Sequence, residues 1–188
     1  MESGAVEIGG GILLTAQSNI AWDGQITLGV LDENLVRRLN LQDILLQIRA
    51  GNLSWKRQLR QSNKVTDYAR QYLVKALLNT LPYPLIIPTL MELGTGTSTY
   101  GPQGSDKDLW SPAAGTLKQT TTTQQYLTYY AQYICSWQTS DPIVGTWTEI
   151  GLKDSAGNLW AHAQLTSALP VYAGEMLVGQ WQVQVLGN

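Results

Sequence analysis

Few side chains in this chain could do chemistry, and they are scattered. His162 is the only histidine. A lone histidine supplies neither a metal site nor a catalytic triad without partners, and no Asp or Ser motif leads to it. Lying between Trp160 and Gln164 in an alternating run, it reads as a surface or interface residue. Cys135, the single cysteine, falls on the apolar register of its run and reads as a small buried hydrophobe. Nothing near it predicts the depressed thiol pKa that a nucleophile needs. Asp106 and Asp108 form a close carboxylate pair that could bind calcium or act on a sugar. Two carboxylates do not fill a shell of roughly six to eight oxygens, and glycosidase pairs need a shaped cleft. They read as solvated loop residues. Glu149 has no catalytic partner in the sequence and reads as a structural carboxylate. The glycine-rich run 94–101 superficially suggests a phosphate loop. A P-loop needs Lys and then Ser or Thr after its last Gly, whereas Pro102 follows here. No catalytic, cofactor-binding or metal-ligating residue is expected, and no enzyme.

Seven tryptophans invite a carbohydrate-binding reading, since exposed indoles stack on sugar faces. Trp137, Trp147 and Trp181 lie within strand patterns and suit a core or subunit contact. Trp22, Trp55, Trp110 and Trp160 are the expected surface anchors, because interfaces select Trp strongly. The net charge of −2 conceals a basic belt: nine of the twelve Lys and Arg residues fall between 37 and 75, opposed there only by Asp43 and Asp67, so 9 − 2 leaves about +7. Arg57 and Arg60 are its interface candidates. Such a belt could neutralise phosphates. No nucleic-acid motif accompanies it, so a solvated face with intersubunit salt bridges is the preferred reading and nucleic acid the less favoured partner.

These residues need a scaffold, and the composition describes one. With 188 residues and 44% apolar content the chain can bury a core. Charged residues make up only 14%, which suits β-structure and large static interfaces where a buried charge is costly. One cysteine excludes an internal disulfide and any multi-cysteine zinc site. The apolar run 9–15 lacks a basic flank and is too short to cross a bilayer. A soluble protein made in the cytosol, without a membrane partner, is expected.

Residues 1–31 read as an extended arm with strands at 12–14 and 26–31 around a turn at Asp23-Gly24. The segment 35–48 is ambiguous, although Leu41, Ile44, Leu45 and Ile48 have helical spacing. The clearest helix spans about Lys64 to Leu81, capped by Ser62 or Asn63 and ended by Pro82. Val65, Tyr68, Ala69, Tyr72, Leu73, Ala76 and Leu77 form its apolar stripe, which must pack on the β-unit that follows. A β-rich run at 85–93 is confined by Pro88 to an edge or bulge. A long loop continues through Gly115. Alternating strands then follow at 127–137, 144–152, 159–165 and 176–186, with a turn at 154–158. Strands at this spacing indicate a sandwich or a barrel-like sheet.

Residues 62–186 resemble a domain recurrent in virion proteins of tailed bacteriophages and prophages. Four parts carry the resemblance in order: a helix opening with Asn63-Lys64-Val65-Thr66-Asp67; a strand running into Gly94-Thr95-Gly96-Thr97; the hairpin Trp147-Thr148-Glu149-Ile150-Gly151-Leu152 with its turn to Asn158; and the strand Leu159-Trp160-Ala161-His162-Ala163, followed by Pro170 and a last strand entered through Ala173-Gly174-Glu175. The Thr-rich ending usual in such domains is only loosely matched by 180–185. The first sixty residues lie outside the resemblance.

Together these readings give a mainly β chain: an antiparallel β-sandwich-like domain with one packed α-helix and an extended N-terminal arm. Residues 1–60 are the expected arm or extension, with short strands and a helix, and 61–188 the sandwich-like domain with its leading helix. The resemblance implies a non-enzymatic structural component of a virion, assembled in the host cytoplasm. It would act through other virion proteins and copies of itself, on the tail side as an adaptor, baseplate or fibre base. Capsid decoration is the alternative location, and a carbohydrate-binding module the alternative from another class.

Overall fold

The computed structural model describes residues 20–38, 41–50, 52, 54–78, 87–125 and 130–187. In chain order its elements are β1 (Ile20–Leu31), α1 (Glu33–Arg38), α2 (Leu41–Ala50), β2 (Arg57–Ser62), β3 (Lys64–Val65), α3 (Asp67–Leu77), β4 (Pro88–Gly94), β5 (Lys118–Gln119), β6 (Thr121–Gln125), β7 (Tyr130–Trp137), β8 (Gly145–Asp154), β9 (Leu159–Val171) and β10 (Met176–Gly187). The strands form two five-stranded antiparallel sheets, ordered β2-β1-β10-β7-β6 and β3-β9-β8-β4-β5. Strand alternation sends one side chain in two into the space between them. Met91, Leu93, Ile150 and Leu152 of one sheet meet Ile26, Leu28, Trp137 and Trp181 of the other there. Each such burial contributes about 1.5–3 kcal/mol, and together they fix which face of every strand points inward. The mainly β, sandwich-like architecture is as the sequence indicates.

Both sides of the sandwich are closed by a segment that changes sheet. Asn63 alone separates β2 from β3, and Thr120 alone separates β5 from β6. The outer faces are covered too. On the first sheet, Leu31, Ile134, Met176 and Val178 pack with Ile44 of α2, flanked by Leu35 and Trp55. On the second, Val65 and Trp160 lie under Ala69, Tyr68 and Tyr72 of α3. Of the stripe expected on that helix, Tyr68, Ala69 and Tyr72 pack on the β-unit, while Val65 belongs to β3.

Several expectations are corrected. No turn occurs at Asp23-Gly24: β1 runs straight through it, paired from Ile20↔Gly187 to Leu31↔Met176. Pairing along twelve residues with β10 outweighs a local Asp-Gly preference. The strand expected at 12–14 lies outside the described residues. β1 is also interior to its sheet, so residues 20–31 belong to the sandwich, and the expected 60/61 division falls within β2. Segment 35–48 gives two short helices. Helix α3 starts later than expected because Lys64-Val65 pairs with His162 and Ala161 of β9. Its cap is Thr66, whose Oγ1 accepts from Ala69 N–H at 3.3 Å and donates to the Leu159 carbonyl at 2.6 Å. Pro88 begins β4 at a bulge in its pairing with β8. Finally, β5 and β6 lie between the expected loop and the strand expected from 127, in a stretch the sequence left unassigned.

Candidate functional site

The β8–β9 hairpin positions the residues with chemical potential. Its register sets Gly151 opposite His162 and Glu149 opposite Gln164. Ile150, Leu152, Ala161 and Ala163 take the inner face, so Glu149, His162 and Gln164 share the outer one. The loop 95–117 folds over that face, and the polar side chains hold it there.

Glu149 and His162 are both fully buried, and His162 Nε2 lies 2.9 Å from Glu149 Oε2. The other ring nitrogen, Nδ1, lies 2.8 Å from Asp106 Oδ2. Each of the two carboxylates thus has one ring nitrogen of His162 as its partner. Three backbone N–H groups of the loop complete the Glu149 carboxylate: Gly96 and Ser111 donate to Oε1 at 2.9 and 2.8 Å, and Trp110 to Oε2 at 3.0 Å. Burial pushes the Glu149 carboxyl up. The hydrogen bonds from His162, then from Ser111, Trp110 and Gly96, outweigh it and hold the group below its ordinary value.

The glycines of the Gly-Thr-Gly-Thr turn have a steric reason here. A Cβ on Gly94 or Gly96 would come within 2.5 or 2.6 Å of Glu149 Oε1, too close for any side chain. Thr148 Oγ1 donates to the Gly96 carbonyl at 2.9 Å, and Gln164 Oε1 accepts from Ser98 N–H at 3.3 Å. Trp110 sets its ring against His162 with centroids 4.5 Å apart. Farther along the face, Lys153 pairs with Glu92 and with Asp108 of the loop.

Two further buried carboxylates tie other elements together. Asp154 accepts from the Ala156 and Asn158 N–H groups at 2.9 and 3.0 Å, from Tyr68 OH at 2.9 Å and from Trp160 Nε1 at 3.1 Å. Burial raises its carboxyl, but hydrogen bonds led by Asn158 and Trp160 hold it below the ordinary value. Tyr68 moves the other way, pushed up to about 12 by burial and then by Asp154. Glu175, also buried, takes Arg57 and Lys56 and the Tyr172 N–H at 2.9 Å. These bonds from Lys56, Tyr172 and Arg57 overcome the upward push of burial and lower its carboxyl.

The sequence-selected residues therefore fall in different places. His162 is not a surface residue, and Asp106 is not a solvated loop carboxylate, because the two are joined beneath the loop. Glu149, expected to stand without a partner, is buried and held by His162 and three backbone N–H groups. Trp160 is not a surface anchor: it is buried under α3. Trp55 is half-buried with its ring over Gly29, where a Cβ would meet it at 2.1 Å. Arg57 pairs within the chain and lies 5.0 Å over the Tyr172 ring. Arg60 is exposed on β2, Trp110 is half-buried, and the Trp22 backbone pairs with Val185. Cys135 is buried and its thiol is pushed up to about 12 by that burial. Asp106, His162 and Glu149 are not brought together by any motif in the chain. Their signal was the hairpin register, which places Glu149 and His162 on one face once the 154–158 turn is fixed.

Chemically, the arrangement is a closed clamp. Each ring nitrogen of His162 already has a carboxylate, and the two nitrogens point to opposite sides, so the three side chains cannot converge on one ion. Among the described residues no group of three or more His, Cys, Asp or Glu side chains could hold a metal, and no helix is long and apolar enough to cross a membrane. Comparison with protein-family models, with curated proteins and with solved structures finds no match to this chain.

Proposed function

We propose that this chain is a non-enzymatic structural component of a tailed-phage virion, assembled in the host cytoplasm with other virion proteins and copies of itself. The tail side is its location in this reading, as an adaptor, baseplate or fibre base. One observation carries it: the parts of the sequence that resemble phage virion domains interlock around one buried carboxylate. Gly94 and Gly96 lie against Glu149, Glu149 bonds His162, and β3 at the head of the helix motif pairs with the His162 strand. The motif thus has a folding role that requires no substrate, which supports a scaffold over an enzyme. The buried clamp has no unpaired acid or base to offer a reactant.

The test is immunogold labelling of particles propagated or induced from the organism that carries the gene. Gold on the tail or baseplate is the expected outcome. Gold on the head surface would move the chain to capsid decoration. Unlabelled particles beside abundant protein in the lysate would end the virion reading.

A further inference from the structure

The two sheets leave four terminal strands, β2, β6, β3 and β5. A terminal strand presents unpaired backbone donors and acceptors, and proteins guard such edges with charge, proline or brevity. Three of the four are guarded in this way. β2 carries Arg57 and Arg60, while β3 and β5 are two residues long and contain Lys64 and Lys118.

β6 has none of these guards. Its sequence is Thr121-Thr122-Thr123-Gln124-Gln125, and it pairs with β7 from Thr121↔Ile134 to Gln125↔Tyr130. Among the described residues no strand pairs with its other side. The whole stretch 119–140 between Lys118 and Asp141 contains no charged residue and no proline. β-branched threonines suit a strand, and Thr–Thr pairs stabilise one opposite another.

We propose that β6 is a self-association edge. It pairs antiparallel with β6 of a second copy across a two-fold axis and joins five strands from each molecule into one continuous sheet. A second copy is the occupant because the strand is self-compatible: centred on Thr123, the two-fold sets Thr opposite Thr and Gln opposite Thr, with no like charges facing. The same operation on β2 would gather four arginines at one seam. Strand addition supplies affinity through backbone hydrogen bonds, and an isologous contact closes at two copies. The inference rests on the edge and its charges, independently of the virion role.

Sedimentation velocity over a wide concentration range tests it, with Thr123→Lys, Thr123→Glu and Arg60→Glu beside the wild type. The wild type and Arg60→Glu should move from about 20.7 kDa to twice that mass. Each Thr123 variant alone should associate at least tenfold more weakly, and an equimolar mixture of the two should recover the dimer. A wild type that stays monomeric, or association that survives Thr123→Lys, overturns the proposal. In the second case assembly proceeds through another surface and the virion reading still stands. Amide exchange of 121–125 in the wild type covers the case of a misfolded variant: slowing as dimer forms is expected, and unchanged exchange overturns the edge.

Discussion

Glu149 shows how much a single residue can organise. It is fully buried, and its two oxygens accept from one imidazole and three backbone N–H groups. Truncation to Ala would leave these donors and His162 without their acceptor, a loss of about 2–4 kcal/mol. For a chain of this size the melting temperature should fall by roughly 5–15 °C. Calorimetry checks this, and a shift under a degree would show that the clamp contributes little. A pH dependence follows from the same chemistry. Glu149, Asp154 and Glu175 all have carboxyls held below their ordinary values. Such groups contribute stability in full above the unfolded carboxylate range, about 3.9–4.3, and lose it as pH falls through the folded value. The melting temperature should therefore hold level at mildly acidic pH and drop below about pH 4. A rise on acidification from pH 5 to 3 would contradict the assignment of these groups.

At the scale of elements, the clamp fastens the loop 95–117 to the outer face of the β8–β9 hairpin. Lys107 is exposed on that loop, which gives a direct reporter of attachment. Gly96→Ala would force a Cβ against Glu149 Oε1 and Trp110 Cβ, each 2.6 Å away. Trypsin should then cut after Lys107 at least several-fold faster than in the wild type, by mass spectrometry of timed digests. Equal rates would mean that the loop does not depend on this packing. The elements differ in how legible they were. β8, β9 and β10 follow from alternation, because each has one face in the core. β1 was misread because an Asp-Gly pair is a local turn signal, while its pairing with β10 joins residues more than 140 positions apart. The start of α3 moved because β3 forms only through contact with His162 and Ala161. The triad was hidden for a related reason. Glu149 and His162 follow from the hairpin register, but Asp106 lies 56 residues from His162 and reaches it only when the loop folds back.

Among the described residues the molecule is a sandwich whose outer faces are covered by α2, α3 and a clamped loop; its buried carboxylates are paired within the chain, while Trp181 Nε1 and the side-chain amide of Asn63 are buried without a hydrogen-bond partner. Trp137 Nε1 donates to the Thr116 carbonyl at 2.6 Å and Trp147 Nε1 to the Ile143 carbonyl at 3.1 Å. These two indoles serve the core. An unguarded β6 edge then suits a protein that meets copies of itself. In the proposed reading this chain contributes shape to a virion and no chemistry. Asp106 tests it most directly: it is the most exposed member of the clamp at 13%, against 0% for His162 and Glu149, and would be the member reachable by a substrate. The measurement is the infectivity of purified particles assembled with Asp106→Asn protein, normalised to the copies incorporated. Wild-type infectivity per incorporated copy is expected. Particles that incorporate the folded variant in full but lose infectivity a hundredfold would contradict it.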